Sequence, residues 1–206
     1  MVPTKQELLT AWLPTRSWYR GDGAPVLRKA GGFRLDDPAG AVGIELMVIT
    51  DNAGERPVGY LVPFGYRGAP LDGAADALIG TSEHGVLGTR WIYDGTRDPV
   101  VVGQLIALLA GAAQPQDQNT SDAPDTSVEV SIADITLLPT EFDALSAEDT
   151  ASDTIVTVTI GESDRRVVHI NRALLPVDER PVAGSVTAPW RLADTVTRSV
   201  FVTVDV

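Results

Sequence analysis

Val42-Gly43-Ile44-Glu45-Leu46-Met47-Val48 sets apolar residues at the even positions against Gly43, Glu45 and Met47 at the odd ones. A period of two marks a strand, because successive side chains leave a pleated backbone on opposite faces. Asp51-Asn52-Ala53-Gly54 then supplies turn chemistry, and Val58 to Tyr66 returns to strand-like composition. The spacing predicts an antiparallel hairpin. Pro63 has no amide hydrogen to give a ladder, so it is expected at an edge or a strand end.

Outward from the hairpin, Thr4 and Glu7 stand at capping-box spacing, and Leu8, Leu9, Trp12 and Leu13 form an apolar stripe that Pro14 ends. Pro70 to Ile79 is expected as a short helix and Thr89 to Tyr93 as a strand. Thr96 or Asp98 can cap a helix with Pro99 in its first turn. From Val100 to Leu109 that helix is apolar on nearly every face, which implies burial against a sheet. The first half reads as α+β, an antiparallel sheet packed by helices. The second half is mainly β: Ser127 to Ile132, Thr154 to Ile160, Arg165 to Asn171 and Ser199 to Asp205 alternate, and Gly161 to Asp164 makes a hairpin loop. Leu137 to Leu145 is ambiguous, and Ala183 to Leu192, punctuated by Pro and Gly, reads as a connection. Between the halves, Gln114 to Ser127 lacks large apolar residues and has too little to bury to order itself. The expected division is a unit at 1–113, a polar linker at 114–126 and a β unit at 127–206.

The chain of 206 residues carries a formal charge of -12, distributed as -2 over residues 1–113 and -10 over the remainder. Such a surface repels nucleic acid, whose capture needs clustered Lys and Arg. With no cysteine and two histidines, disulfides and transition-metal sites are not expected, and no cofactor is. The N-terminus lacks a signal-peptide pattern, and Val100 to Ala113, the longest apolar run, is too short to span a bilayer. A cytoplasmic protein is expected, with no membrane partner. Lysine occurs only at Lys5 and Lys29 while arginine occurs fourteen times, a usage that fits a GC-rich genome such as an actinobacterium's.

Ser82, Glu83 and His84 are adjacent on an extended chain and so point to alternate faces, which suits a polar loop before a strand better than a triad. Gly80, Gly85 and Gly88 form no phosphate-loop motif and suit turns. The pairs Asp36-Asp37, Glu148-Asp149 and Asp178-Glu179 sit in turn-like contexts that read as solvated surface rather than facing carboxylates. The best ligand- or partner-binding group is aromatic and basic: Trp18, Tyr19 and Arg20 near the start, with His84, Arg90 and Trp91 later. Aromatic rings stack on sugar faces and arginine binds hydroxyls. Packing in the core is the competing reading, because Trp12 lies on a helix stripe and alternation places Trp91 and Tyr93 on one face.

Three stretches carry a family resemblance: Trp12-Leu13-Pro14-Thr15-Arg16-Ser17-Trp18-Tyr19, Asp76-Ala77-Leu78-Ile79-Gly80, and Trp91-Ile92-Tyr93-Asp94-Gly95-Thr96-Arg97-Asp98. They resemble the N-terminal cap of actinobacterial maltokinases, and the chain is similar to short proteins described as maltokinase N-terminal cap-like. The resemblance implies an α+β cap with no catalytic residue of its own. It further implies an interaction or regulatory role beside a sugar kinase or an α-glucan or trehalose enzyme, or self-association. The alternative is a carbohydrate-active enzyme or sugar-binding protein. Phosphotransfer needs a strand lysine, a catalytic-loop Asp and metal-holding residues in a C-lobe. No lysine follows Lys29, and His169, in Val-Val-His-Ile-Asn, precedes no catalytic aspartate.

Overall fold

The predicted capping box forms at the head of α1 (Lys5–Trp12): the Thr4 hydroxyl accepts from the Glu7 amide, while the Glu7 carboxylate accepts from the Thr4 amide. The computed structural model describes residues 1–120, 122–132, 141–174 and 183–204. The central hairpin is also as expected. β2 (Val42–Asp51) pairs with β3 (Val58–Arg67) along its whole length, from Val42 opposite Arg67 to Asp51 opposite Val58. β1 (Leu27–Leu35) flanks β2, β5 (Gly88–Asp94) flanks the far end of β3, and β4 (Leu78–His84) lies beyond β5. Pro70 to Ile79 is not the helix expected. Only Ala75–Ala77 makes a 3-10 turn, and Leu78 already begins β4, so the polar and small residues before it are spent on turns.

The two apolar sets of β2 explain why this sheet is covered on both sides. Ile44, Leu46, Val48 and Leu61 face α2 (Pro99–Leu109), while Met47, Ile49, Tyr60, Val62 and Phe64 face α1. Each such aliphatic or aromatic side chain stabilises the fold by roughly 1.5–3 kcal/mol when fully buried. α2 starts where Asp98 caps it, the carboxylate accepting from the Val100 amide at 2.9 Å and from both arms of the Arg67 fork at 2.7 Å. Asp98 is the residue that turns an apolar segment into a positioned helix.

The second half is built from β6 (Glu129–Ile132), β7 (Ala144–Asp149), β8 (Asp153–Ile160), β9 (Asp164–Asn171), β10 (Ala173–Leu174), β11 (Gly184–Leu192) and β12 (Thr195–Val204). The predicted loop at Gly161 joins β8 to β9, with Gly161 at φ +58°. The segment read as a connection, from Ala183 to Leu192, is instead strand β11. Its inward residues Val186, Ala188 and Trp190 alternate, and Pro189 sits beyond the stretch that β6 pairs. Of the ambiguous Leu137 to Leu145, residues 137–140 lie outside the described residues and Ala144 opens β7; Asp205 also lies outside them.

All these strands join in one 12-stranded antiparallel sheet of the described residues, ordered β4-β5-β3-β2-β1-β11-β12-β9-β8-β7, with β10 on β3 and β6 on β11. Arg172 alone separates β9 from β10. The chain thus passes from pairing with β12 to pairing with β3, and the path β3-β2-β1-β11-β12-β9/β10 returns to β3. At Pro63 the strand lies between the part of β3 paired with β10 and the part paired with β5, a local edge that tolerates proline. The fold is therefore richer in β structure than a sheet packed by several helices.

One apolar cluster draws residues from both 1–113 and 127–206. Val156, Val168, Val186, Trp190 and Phe201 belong to the same apolar cluster as Phe33, Leu46 and α2. Gly59 makes room for this contact: a Cβ there would stand 2.4 Å from the Trp190 ring. The polar stretch expected as a linker is ordered by its backbone instead of by apolar burial, since Gln116 and Arg34 exchange two amide hydrogen bonds of 2.9 Å.

A buried polar knot ties the halves further. Arg172 is fully buried, with its Nη2 on both oxygens of Asp94 and 3.0 Å from the Thr96 hydroxyl, its Nε 2.6 Å from the Thr154 hydroxyl, and its guanidinium 5.0 Å from the Trp18 ring centre. Asp94, Thr96 and Trp18 come from the first half, and Thr154 and Arg172 from the second. A buried charge needs this degree of pairing to persist.

Candidate functional site

The aromatic and basic residues singled out by sequence fall in two separate places. Trp18 is fully buried beneath α1, its ring 5.7 Å from Trp12 and 5.9 Å from Tyr60, and it packs as a core residue. Tyr19 is half-buried beside Tyr60 and donates from its hydroxyl to Asp51 at 2.8 Å. Burial, and then the Asp51 carboxylate, push the Tyr19 phenol well above its ordinary pKa. Arg20 has an exposed side chain, while its amide donates to the Tyr60 hydroxyl at 3.0 Å.

His84, Arg90 and Trp91 lie on the β4–β5 hairpin. Trp91 is half-buried in a small cluster with Tyr93, Ala74 and Ala77, on the face that alternation predicts. Arg90 is half-buried, opposite Ser82, with its guanidinium lying over Gly68. His84 closes the hairpin: its Nδ1 accepts from the Val86 and Leu87 amides at 3.3 and 3.2 Å. The turn it shapes presents Val86 and Leu87 to solvent, at 88% and 57% exposure. Its neighbours have other uses, for Ser82 donates to the Pro3 carbonyl and Glu83 accepts from Thr89. These bonds leave no nucleophile–base contact among the three.

The carboxylate pairs serve local structure. Asp37 accepts from the amides of Ala39, Ala41 and Val42, and Asp149 accepts from the Thr154 hydroxyl; Asp178-Glu179 lies outside the described residues. His169 sits on β9 with Nδ1 3.2 Å from Asp153. Among the described residues no three His, Asp or Glu side chains gather as metal ligands, and no helix is long and apolar enough to cross a membrane.

A site that sequence reasoning passed over lies between α1 and the β1–β2 face. Glu45 is buried on the outer side of β2, one step along the row from Met47 and two from Ile49. Its carboxylate is paired with Lys5 Nζ and accepts from the Tyr66 hydroxyl at 2.7 Å and from Gln118 Nε2 at 3.2 Å, with Lys29 Nζ 4.0 Å away. Burial first, and Glu45 second, raise the Tyr66 phenol well above its usual pKa, so it stays a donor. Gly32, at φ +114°, lets Gln118 approach, since a Cβ there would lie 2.8 Å from Gln118 Nε2 and 1.9 Å from the Leu46 carbonyl oxygen. Beside this cluster opens a cleft of about 360 Å³, lined among others by Lys5, Lys29, Leu9, Met47 and Ile49. Both lysines of the chain meet there. The available signal was a glutamate set in a doubly apolar strand together with the scarcity of lysine.

Comparison with known proteins identifies one family: residues 12–98 match the maltokinase N-terminal cap domain. That segment runs from the end of α1 through the first five strands to the residue that caps α2. No curated protein matches the chain.

Proposed function

We propose, from the match of residues 12–98 to the maltokinase N-terminal cap domain, that this chain is a non-catalytic binding or regulatory protein of the cytoplasm. Its partner in this reading is a sugar kinase or an enzyme of α-glucan, maltose or trehalose metabolism. The observation that carries the proposal is the β4–β5 hairpin, within the matched segment. There the Val86-Leu87 tip stands in solvent between two glycines, with His84 bracing the turn and Arg90 and Trp91 half-exposed behind it. Adjacent apolar side chains held out on a shaped turn suit insertion into a partner, with basic and aromatic residues at the rim. Tyr19 and Arg20 lie apart, and Arg20 is the exposed residue of that pair.

The test is affinity capture from host lysate with the native chain and with a Val86→Asp, Leu87→Asp variant. Recovery of a sugar kinase or α-glucan enzyme in stoichiometric yield by the native chain, lost with the variant, is the expected result. Equal recovery by both proteins, or recovery of the bait alone, counts against the proposal.

A further inference from the structure

We propose that the cleft between α1 and the β1–β2 face is a binding site for a small organic monoanion, a carboxylate carried on a short apolar tail. The cleft's volume of about 360 Å³ falls within the range of small-molecule sites. Its floor, Leu9, Met47 and Ile49, is apolar and offers a surface for a hydrocarbon tail but no hydrogen bonds. The polar end is defined by charge. Lys5 and Lys29 bring two ammonium groups to a single buried carboxylate, Glu45, and that carboxylate is already served by Lys5, Tyr66 and Gln118. Lys29 stands 4.0 Å from Glu45 at the cleft rim, with 45% of its side chain exposed. An ammonium offers three donors. One cation in excess, in a chain of net charge -12, matches a monoanion and is too little for a phosphate dianion.

The helix supports the same polarity. Thr4, Lys5 and Gln6, at the N-terminal end of the eight-residue α1, line the cleft, and a helix N-terminus favours negative charge. The nearby competing carboxylate, Glu7, is turned back onto the Thr4 amide and hydroxyl. Burying Glu45 under two lysines also costs desolvation that a purely structural position fills more cheaply with an apolar residue, as Met47 and Ile49 do in the same row. A site that must hold two lysines side by side gives Glu45 a purpose: it neutralises one ammonium and leaves the other for a ligand.

This inference does not depend on a protein partner, and purified full chain is enough to test it. Hexanoate is titrated while amide chemical shifts are followed, with hexanol and hexylammonium as matched neutral and cationic probes. The expected result is saturable binding of hexanoate that shifts residues of α1, β1 and β2, weakened about tenfold or more by Lys29→Gln, and little binding of the other two probes. Lys29 is exposed, so the variant is expected to fold; a thermal melt confirms this, and Lys29→Arg should retain most of the affinity. Hexanol binding as tightly as hexanoate, shifts that never saturate, or hexanoate affinity unchanged in Lys29→Gln would overturn the proposal. The Val86→Asp, Leu87→Asp variant should bind hexanoate normally, so failure of the partner reading and failure of this one are told apart.

Discussion

Replacing Arg172 with methionine tests whether the buried knot holds the two halves of the sheet together. The side chain loses its contacts with both oxygens of Asp94, with the Thr96 and Thr154 hydroxyls, and with the Trp18 face. Breaking a buried pair by removing one partner costs about 3–5 kcal/mol, because the other charge is left behind. Two features reduce that figure. Among the described residues Arg172 Nη1 is a buried donor without an acceptor, worth roughly 1–3 kcal/mol of relief when removed. Asp94 also keeps the Thr96 amide and hydroxyl as donors. The net expectation, about 4 less about 2, is a loss of roughly 2 kcal/mol, which in a chain of this size lowers Tm by about 4–8 °C. Urea unfolding of Arg172→Met, of Asp94→Asn and of the double variant measures the coupling, expected near 2 kcal/mol. A loss below about 1 kcal/mol for Arg172→Met, or single effects that add within about 0.5 kcal/mol, would refute the reasoning.

Gly59→Ala drives a Cβ to within 2.4 Å of the Trp190 ring, across the junction of the halves, and should destabilise by about 1–3 kcal/mol in urea unfolding followed by tryptophan fluorescence; wild-type stability would show that the ring yields freely. Stability should also decline at both ends of the pH scale. Burial raises Asp153, but the Thr150, His169 and Ser152 bonds outweigh it and hold the carboxyl below its ordinary value, so its contribution is present above about pH 4 and is lost as pH falls further. Burial raises Tyr19, Tyr60 and Tyr66, so their contribution is complete below about pH 10 and is lost as pH rises beyond it. Thermal melts across pH read both limbs: Asp153→Asn should flatten the acid one, and tyrosine absorbance should change together with unfolding on the alkaline one.

The parts of the fold legible in sequence are those set by neighbours in sequence. The Thr4–Glu7 box, the β2–β3 hairpin and the Asp98-Pro99 start of α2 each depend on residues a few positions apart, and each forms as read. Strand β11 is less legible because the Pro and Gly of 183–192 mask the alternation of Val186, Ala188 and Trp190. The union of the halves was not legible for a different reason. It rests on β1 meeting β11 and on β10 meeting β3, contacts between residues more than 100 positions apart that leave no local period. The site was half legible. Alternation places Trp91 and Tyr93 together, but Trp18 turned out to be core, and the Lys5–Glu45–Lys29 cluster is assembled from α1, β1 and β2 by the tertiary fold alone.

The return of the strand path to β3 separates two notions of a module. As a unit of inheritance, the segment 12–98 is recognisable by itself. As a unit of folding, it ends one residue short of the helix that fills its inner face, and it would leave β1 without β11 and β3 without β10. Excised at those limits, it presents bare strand edges and an open apolar face, a template for pairing with other chains. Whatever follows such a segment in a given polypeptide must therefore supply a lid of its own. Here the acidic β half supplies it, closing the sheet on itself with α2 sealed inside.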